Sequence, residues 1–419
     1  MNVLLVVLDS VRAANCSLYG YPRATTPTLD SLAGEATVYT QARAPSNWSL
    51  PSHVSLFTGL PAAAHAVTVH DALEPGHTVW DDLASTGVET GLFTGNGFVA
   101  SHPVGLDVPF DTVVTTADER VDGERVDGFY YADALLDWTS ERTEWAACLN
   151  LMDAHRPYEP RPEHDRWGDR AAWRLQAELP VRWEFPVHGG EIPYWQLAGL
   201  ESLYDGGIRQ ADAVLGTVLT ELRARGEYDD TLLVVCGDHG EGFGEFGLLA
   251  DQPRAAAHIV PTTENLLHVP LVVKQPRQRR PRTVTDPATL TAVRDVVDAA
   301  HEGRRATCAR ERVLASKQPV TGDLRRRYEA AVDDADPFLK ESRVVYQATD
   351  NGVRKTYSWG EAVGTVDVRS ASAVGTVRKG DPERLSTAFA SVEDAGVRRI
   401  GDGDPTGETR EQLAALGYF

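Results

Sequence analysis

Short, continuously apolar runs recur along the chain and alternate with segments of helical periodicity. The runs cover residues 2–8, 89–95, 145–152, 230–237 and 269–274. Runs of this length predict strands buried on both faces, as in a largely parallel sheet. Residues 204–226 have apolar side chains at helical spacing and end at Gly226, which predicts a helix. The pattern therefore predicts an α/β fold, in which ligands bind beyond the carboxyl ends of the strands.

A second, shorter helix is predicted within residues 47–59, NWSLPSHVSLFTG. Pro51 suits its first turn and Gly59 suits its end. Its apolar side would consist of Val54, Leu56 and Phe57. Ser49 would then lie at or just before the helix N-terminus, where free amides and the helix dipole favour an anion. Serine is also a favourable N-cap, so an ordinary capping role remains an alternative.

The rest of the chain predicts an insertion and a second, smaller unit. Residues 156–195 are rich in Pro and Trp, and we expect a long insertion near the site. A basic, turn-rich stretch near residue 277 predicts that a first domain of α/β type, residues 1–280, ends there. Residues 281–419 should form an α+β subdomain with a small antiparallel sheet, a hairpin around Asn351-Gly352 and a closing helix over 406–419.

Composition narrows the class of protein. The net charge is −20 over 419 residues, which argues against a nucleic-acid-binding surface. Only five lysines occur, so the chain is acidic and lysine-poor, which is typical of proteins from a high-salt cytoplasm; a GC-rich genome could also favour arginine. The apolar run at residues 2–8 lacks a basic flank and is too short to span a bilayer. We therefore expect a cytoplasmic protein without a membrane span.

The four cysteines, Cys16, Cys148, Cys236 and Cys308, have no metal-ligand spacing. Two of them lie in apolar runs, which predicts buried thiols rather than disulfides.

Polar residues at the predicted strand ends suggest a metal site. Asp9 follows the first strand, and Asp238 and His239 follow the strand at 230–237. Two carboxylates and an imidazole at one edge of a sheet suit a divalent cation. A lone Asp after a strand is often only a cap, but the glycine-rich stretch GDHGEGFGEFG would let the backbone turn tightly here. His155 also follows a strand, and a surface-loop histidine explains it equally well.

The order of these pieces resembles the sulfatase family of the alkaline phosphatase superfamily. The matching stretches are LLVVLDSVRAANCSLYGYPRATTPTLDSLA, SLPSHVSLFTG, HRPYEP, YDGGIRQAD, GDHGEGFGEFG and HVPLVV, with LAALGYF at the end of the chain. The resemblance implies an alkaline-phosphatase-like α/β/α sandwich with a largely parallel central sheet. It implies that Asp9, Ser49, Asp238 and His239 bind a metal and that Ser49 is the nucleophile. It places His155 near the substrate's anionic group and His258 where a cationic or proton-donating residue is common.

The chain also departs from the family pattern. Sulfatases make formylglycine from Cys or Ser in a C/S-x-P-x-R motif, and here His53 takes the place of the Arg. Ser10 stands in place of a second aspartate. Asn96 and Phe98 stand where many relatives have a lysine and a histidine. We assign His53 a catalytic role and Asn96 a substrate-binding role.

Three functions remain open after this comparison. The first is a metal-dependent hydrolase of sulfate esters, which the family match favours. The second is a phosphodiester or phosphonate monoester hydrolase, or a phosphoryl transferase, that uses unmodified Ser49. The third is a catalytically silent anion-binding protein. For either enzyme we expect one divalent cation, Ca²⁺ or Mg²⁺ with Mn²⁺ as a further candidate. The substrate would be a small anionic ester of a sugar, a lipid or an aryl group.

Overall fold

The structure, a computed structural model, describes residues 1–116, 120–121, 124–350 and 352–401. Its helices are α1 (Pro27–Leu32), α2 (Ser49–Thr58), α3 (Ala62–His65), α4 (Val79–Ser85), α5 (Gly128–Ser140), α6 (Arg170–Glu178), α7 (Glu184–His188), α8 (Leu197–Ala224), α9 (Glu264–Leu267), α10 (Val293–His301), α11 (Gly322–Ala331), α12 (Asp336–Leu339) and α13 (Pro382–Ala390).

The longer strands are β1 (Asn2–Leu8), β2 (Thr37–Tyr39), β3 (Glu89–Thr94), β4 (Thr112–Val114), β5 (Trp145–Leu151), β6 (Thr231–Gly237), β7 (Leu271–Lys274), β8 (Arg282–Val284), β9 (Arg312–Lys317), β10 (Ser342–Thr349), β11 (Gly352–Trp359) and β12 (Ala362–Ser370). Two-residue strands occur at Ala42–Arg43, Ala72–Leu73, Arg120–Val121, Glu124–Arg125, Gly242–Phe243, Ala256–Ala257, Ala288–Thr289, Ala373–Val374, Arg378–Lys379 and Arg398–Arg399.

The first eight strands form one mixed, largely parallel sheet in the order β8-β2-β7-β6-β1-β5-β3-β4. The run from β6 to β4 is parallel throughout, and only β7 runs antiparallel to its neighbours. Every residue of β1, β5 and β6 is buried, as the continuous apolar runs predict. The reversed direction of β7 could not be predicted, because an apolar run carries no information on strand direction.

Helices cover both faces of this sheet, which gives an α/β/α sandwich. Along β1, Val3, Leu5 and Val7 face one apolar core, shared with α2, α4 and α10. The alternate residues of β1 face a second core, shared with α5 and α8. This alternation follows from the two-residue period of a strand. Two separate cores explain why the strand sequences are apolar at every position rather than at every second one.

Helix α2 begins at Ser49 and is followed by Gly59, as predicted, and Gly59 has a left-handed φ of 76°. The predicted apolar side of α2, Val54, Leu56 and Phe57, packs into the first core, and the opposite, polar side is buried as well, since all ten residues of the helix are buried. Its polar side chains have partners inside the protein: the Ser52 hydroxyl donates to the Ser46 carbonyl, and the Ser55 hydroxyl lies 3.1 Å from Nε2 of His65. The polar side of α2 is therefore an interior surface that contributes to the site.

Helix α8 begins at Leu197, seven residues before the predicted start, and ends at Ala224. Gly206 and Gly207 lie inside it, although glycine weakens a helix interior. A Cβ at Gly207 would overlap the backbone carbonyl of Asp153, just after β5. The glycine is required because α8 packs directly against the chain that leaves the end of β5.

The boundary predicted at residue 280 is too early. β8 pairs with β2 in the first sheet, and α10 packs into the first core. The antiparallel second sheet begins only at Arg312 and has the order β9-β10-β11-β12 before its short final strands. The β10–β11 hairpin pairs Thr349 with Gly352, whereas Asn351 and the predicted closing helix over 406–419 lie outside the described residues.

The predicted insertion at 156–195 contains α6 and α7. All four cysteines are buried and free, as predicted. In the part of the chain that the structure describes, no helix has both the length and the apolar character needed to cross a membrane.

Candidate active site

Three ligand-type side chains meet where β1 and β6 end. The two strands are parallel neighbours, with Leu8 opposite Gly237, so the residues that follow each strand lie side by side. Asp9, Asp238 and His239 are fully buried, and one ligand atom from each lies within 4.8 Å of the others. The structure therefore brings together the three residues that the sequence singles out as metal ligands.

The orientation of the His239 ring directs its Nε2 at the nucleophile candidate. Its Nδ1 lies 2.8 Å from the carbonyl oxygen of Gly240, which can only accept, so Nδ1–H is the donor. In the neutral ring Nε2 then carries a lone pair, and it lies 3.1 Å from the Ser49 hydroxyl. Nε2 can bind a cation or accept the hydroxyl proton, and either role places Ser49 at the cluster.

Asp238 divides its two oxygens between the backbone and the site. Oδ1 accepts from the amides of Ser10, at 3.0 Å, and His239, at 2.9 Å. Oδ2 is buried without a hydrogen-bond partner among the described residues and lies 3.4 Å from Nε2 of His239. An unsatisfied buried carboxylate oxygen calls for an explanation. Two carboxylates, an imidazole lone pair and a hydroxyl fit a divalent cation.

Asp9 is held by two amide side chains. Asn96 Nδ2 donates to its Oδ2 at 2.7 Å, and Asn150 Nδ2 lies 3.4 Å from the same oxygen. Asn96 Oδ1 also accepts from the Phe98 amide at 2.9 Å. The structure thus makes Asn96 a positioning residue for Asp9, and its direct contact with substrate stays a prediction. Asn150, on β5, was not singled out from the sequence, because it lies inside a continuous apolar run.

His53 lies one turn after Ser49 on α2. Its Nδ1 is 2.9 Å from the Ser49 carbonyl and 3.5 Å from Oδ2 of Asp238. Its Nε2 is buried without a partner among the described residues. His53 therefore borders the cluster, and its catalytic role stays a prediction.

The ring of His258 lies beside that of His239, and the ring of His155 lies beside that of His258. The ring of His258 is 4.6 Å from that of His239 and 5.3 Å from that of His155. Burial lowers the pKa of His155 to about 4 and that of His258 well below its ordinary value. Both rings are therefore neutral in the free protein, and a bound anion would favour their protonation.

Glu241 is a buried carboxylate that the sequence reasoning missed. It lies 3.2 Å from Nδ1 of His258 and accepts from the Tyr158 hydroxyl at 3.0 Å. Glu241 belongs to the same glycine-rich stretch as Asp238, and this position could have indicated that it lies at the site. Its contact orients His258, whose Nε2 is buried and has no partner among the described residues.

A buried ion cluster from the insertion was also missed. Glu184 pairs with Arg156 and Arg182, each at 2.5 Å. Burial alone would raise the pKa of Glu184, but the two guanidinium groups outweigh it and lower this pKa to about 2. Arg156 also acts electrostatically on the buried Glu241 carboxylate, so a second anion adjoins the cluster. Besides burial and His239, the two guanidinium groups lower the pKa of His258. Sequence alone could not pair residues 28 positions apart in a segment without periodicity.

Comparison with known proteins identifies the family to which this chain belongs. The sulfatase family profile matches residues 1–301 of the chain. The chain belongs to the sulfatase family. An N-acetylgalactosamine-6-O-sulfatase of Bacteroides thetaiotaomicron is 22% identical over 302 residues, which are 57% of this chain and 58% of that enzyme. The match thus spans less than two thirds of that relative's length.

Solved structures confirm the sulfatase-type, alkaline-phosphatase-like fold that the sequence predicts. A phosphonate monoester hydrolase of Agrobacterium radiobacter superposes with a TM-score of 0.62 at 16% identity, covering 99% of this chain and 95% of that one. A protein bound to its substrate D-glucosamine-2-N,6-O-disulfate has a TM-score of 0.64 at 14% identity, covering 99% and 96%. At these identities the likeness establishes the fold alone.

Proposed function

We propose that this sulfatase-family protein hydrolyses sulfate esters with the help of one divalent cation. The observation that carries the proposal is the position of Ser49, whose hydroxyl starts a buried helix and lies 3.1 Å from Nε2 of His239. The curated relative named as a sulfatase and the neighbour solved with a sulfated sugar support this choice. A silent binding protein would not need a nucleophile candidate beside a preserved ligand cluster.

Asp9, Asp238 and His239, with Ser49 beside them, would hold the cation. When bound, the cation would supply positive charge that polarises the ester and favours an ionised nucleophile. Ca²⁺, Mg²⁺ and Mn²⁺ all accept such ligands. Elemental analysis of the purified protein decides between them.

The protein's own groups orient the nucleophile and the anion. The Gly240 carbonyl fixes the His239 tautomer, and the asparagines hold Asp9 in place. The first turn of α2 has no side-chain cap; Pro51 lacks an N–H and the Ser52 amide bonds to the Trp48 carbonyl, so the Ser49 and Leu50 amides and the positive end of the helix dipole would receive the ester's oxygens. His258, held by Glu241, would exchange a proton with the leaving alcohol.

A second candidate is a phosphonate monoester or phosphodiester hydrolase that uses Ser49 without modification. Two observations favour it: His53 replaces the arginine of the modification motif, and a phosphonate monoester hydrolase shares the fold over nearly the whole chain. A phosphoryl-serine can be cleaved by water at phosphorus. A sulfuryl-serine is harder to resolve, whereas a formylglycine hydrate can expel sulfate as its aldehyde forms again.

One experiment separates the two candidates. The mass of the peptide containing Ser49 is measured, and the same preparation is assayed with aryl esters of sulfate, phosphonate and phosphodiester type. Formylglycine, lighter by two hydrogens, should accompany sulfate turnover; plain serine should accompany phosphonate or phosphodiester turnover. Ser49→Ala should abolish turnover, whereas Ser55→Ala on the same helix should keep it. Normal turnover by Ser49→Ala would refute the nucleophile role, and efficient sulfate turnover by plain serine would refute the link to modification.

A further inference from the structure

Tyr158 is a buried tyrosine that has no part in the metal cluster or in the reaction proposed above. It belongs to the stretch HRPYEP at the start of the insertion, and only 1% of it is exposed. One side chain of α6 fixes its backbone: the Tyr158 amide donates to Oε1 of Gln176 at 2.8 Å, and Nε2 of Gln176 donates to the Tyr158 carbonyl at 2.8 Å. The Tyr158 hydroxyl donates to Oε2 of Glu241 at 3.0 Å. The insertion therefore holds a phenol in a fixed position at the edge of the active site.

Three donor groups surround the carboxylate of Glu241. The Gly242 amide donates to Oε1 at 3.3 Å, and the Tyr158 hydroxyl donates to Oε2. Nδ1 of His258 lies 3.2 Å from Oε1 and 3.3 Å from Oε2. Burial raises the pKa of Glu241, and the charge of Arg156 and the Tyr158 hydrogen bond act in the opposite direction. An ionised carboxylate can only accept, so the neutral ring of His258 carries its proton on Nδ1.

This contact decides which nitrogen of His258 faces the reaction. Because Nδ1–H is directed at Glu241, Nε2 is the nitrogen that can exchange a proton with another group. Nε2 is buried and has no hydrogen-bond partner in the ranges of the chain that the structure describes. The His258 ring lies 4.6 Å from the ring of His239, whose Nε2 is 3.1 Å from the Ser49 hydroxyl. The His258 carbonyl also accepts from Nδ2 of Asn47 at 2.9 Å, which ties this residue to the segment just before Ser49.

A proton donor held in position matters most for an ester with a poor leaving group. A phenolate carries its negative charge well and can leave without a proton, whereas an aliphatic alkoxide is far more basic and needs one in the transition state. In that step the bond from the leaving oxygen to sulfur or phosphorus breaks, the Nε2–H bond of the His258 imidazolium breaks, and the O–H bond of the product alcohol forms. The proton on Nδ1 stays with His258. The Glu241 carboxylate stabilises the imidazolium before the transfer and keeps its ring from rotating.

We propose that Tyr158 and Glu241 are positioning residues that hold His258 for protonation of the leaving group, and that the substrate is an ester of an aliphatic alcohol rather than of a phenol. The inference rests on the proposed function, because it takes His258 as the group that exchanges a proton with the leaving alcohol. It gives the insertion a role in the reaction, through Gln176 and Tyr158. It also makes aryl esters artificial substrates, which the protein hydrolyses without full use of this proton donor.

The test measures kcat/KM for three esters of the acid group that the cation-loaded protein hydrolyses best. The 4-nitrophenyl ester has a good leaving group, the phenyl ester a poorer one, and the 2-phenylethyl ester an aliphatic alcohol of similar shape. Glu241→Gln keeps the size of the side chain and removes its charge. We expect this variant to stay within about threefold of the wild type on the 4-nitrophenyl ester and to lose about 100-fold on the 2-phenylethyl ester, as expected for a weakened general acid. Tyr158→Phe should lose about tenfold on the same ester, the effect of one hydrogen bond to a charged group.

A second buried tyrosine–glutamate pair, away from the site, provides the matched control. The Tyr346 hydroxyl donates to Oε1 of Glu264 at 2.7 Å, and Nδ1 of His268 lies 3.9 Å from Oε2 of Glu264. Tyr346→Phe removes the same kind of hydrogen bond, so it should lower stability without changing the relative rates on the three esters. A double-mutant cycle shows whether Glu241 acts through His258: Glu241→Gln added to His258→Gln should cause no further loss on the 2-phenylethyl ester.

A second readout does not depend on turnover. Nitrogen NMR of neutral His258 in the cation-loaded protein should show the proton on Nδ1. If Glu241→Gln fails to fold, this measurement and Tyr158→Phe carry the test.

Four results would each overturn the inference: a proton on Nε2 of neutral His258, equal losses on all three esters, additive losses in the double-mutant cycle, or a wild type that hydrolyses only the aryl esters. The proposed function fails separately. A protein that has the Nδ1 proton but hydrolyses no ester would refute the function, and the substrate class with it, and leave the positioning of His258. Ester hydrolysis with unchanged relative rates in the Glu241 and Tyr158 variants would do the reverse.

Discussion

Replacing Asp238 by asparagine should remove the cation while it preserves the local backbone. Oδ1 of Asp238 accepts both of the backbone amides that contact this side chain. An asparagine must keep its carbonyl oxygen there, because its NH₂ group cannot accept. The NH₂ group then takes the place of Oδ2, beside Nε2 of His239 at 3.4 Å. A donor would thus point at the position where a ligand is needed.

The structure predicts that Asp238→Asn is more stable than the wild type without the cation and less stable than the wild type with it. Ligand atoms of Asp9 and Asp238 lie within 4.8 Å of each other, a repulsion of about 3.5 kcal/mol at an effective dielectric constant of about 20. Without the cation, the free energy of unfolding of Asp238→Asn should therefore exceed that of the wild type by up to about 3 kcal/mol. With the cation at about 100 times its Kd, the wild type should gain about 2.7 kcal/mol and the variant nothing.

The assay is urea unfolding of both proteins in chelator and in excess divalent cation, with metal content measured in parallel. Asp212→Asn is the control, since Asp212 is also buried but accepts the amides of Thr28 and Leu29 with different oxygens. That variant must lose one bond, so it should be destabilised in both conditions and still respond to the cation. Wild-type metal content in Asp238→Asn, or an unchanged response to the cation, would refute the assignment.

Three other perturbations follow from the structure. A Cβ at Gly240 would overlap a neighbouring backbone carbonyl, so Gly240→Ala should shift the metal-site loop and cost about 100-fold in kcat/KM, measured beside a stability assay. Burial lowers the folded-state pKa of His65 to about 4 and of His268 to about 3, so the unfolded chain takes up protons first. Each histidine should lower the free energy of unfolding between pH 6.5 and 4, by up to about 3 kcal/mol, whereas Asp153 and Asp212, whose pKa values burial raises to about 6, act in the opposite direction. Urea unfolding of the wild type and of His65→Gln should therefore show a smaller loss of stability on acidification in the variant, and identical pH dependence of the two proteins would contradict this. Ser10→Asp alone should destabilise the metal-free protein, and Asn96→Lys added to it should restore about 1–3 kcal/mol in a double-mutant cycle; simple additivity would exclude the coupling.

The sheet could be predicted from the sequence because its strands are buried on both faces. β1, β5 and β6 therefore appear as uninterrupted apolar runs, and their bounds were predicted within one residue. The extent of the first sheet could not be predicted, since β8 has only three residues and two of them are exposed. A strand that short has no recognisable period, and only its pairing with β2 identifies it.

The ligand cluster could be predicted because each of its residues directly follows a predictable strand. The residues missed are those whose role depends on contacts distant in the chain. In the sequence, Asn150 is a single polar residue within a buried strand, and only the structure shows that it lies beside Asp9. Arg156 and Glu184 belong to a segment whose composition predicts no regular structure. The site residues that could be predicted follow recognisable strands, and those that were missed depend on contacts with residues far away in the sequence.

Two departures from the family pattern concern the same carboxylate. Ser10 stands in place of an aspartate, and its hydroxyl donates to Oδ1 of Asp9 at 3.1 Å. Asn96 stands in place of a lysine and donates to Oδ2 of Asp9 at 2.7 Å. One negative and one positive charge are thus absent from a fully buried region, and neutral donors satisfy the oxygens of Asp9. Losing only the aspartate or only the lysine would leave a buried charge without its counter-charge, which is far more costly than losing both. The two replacements therefore act as one change, which lowers the number of charges around Asp9 and leaves their sum unaltered.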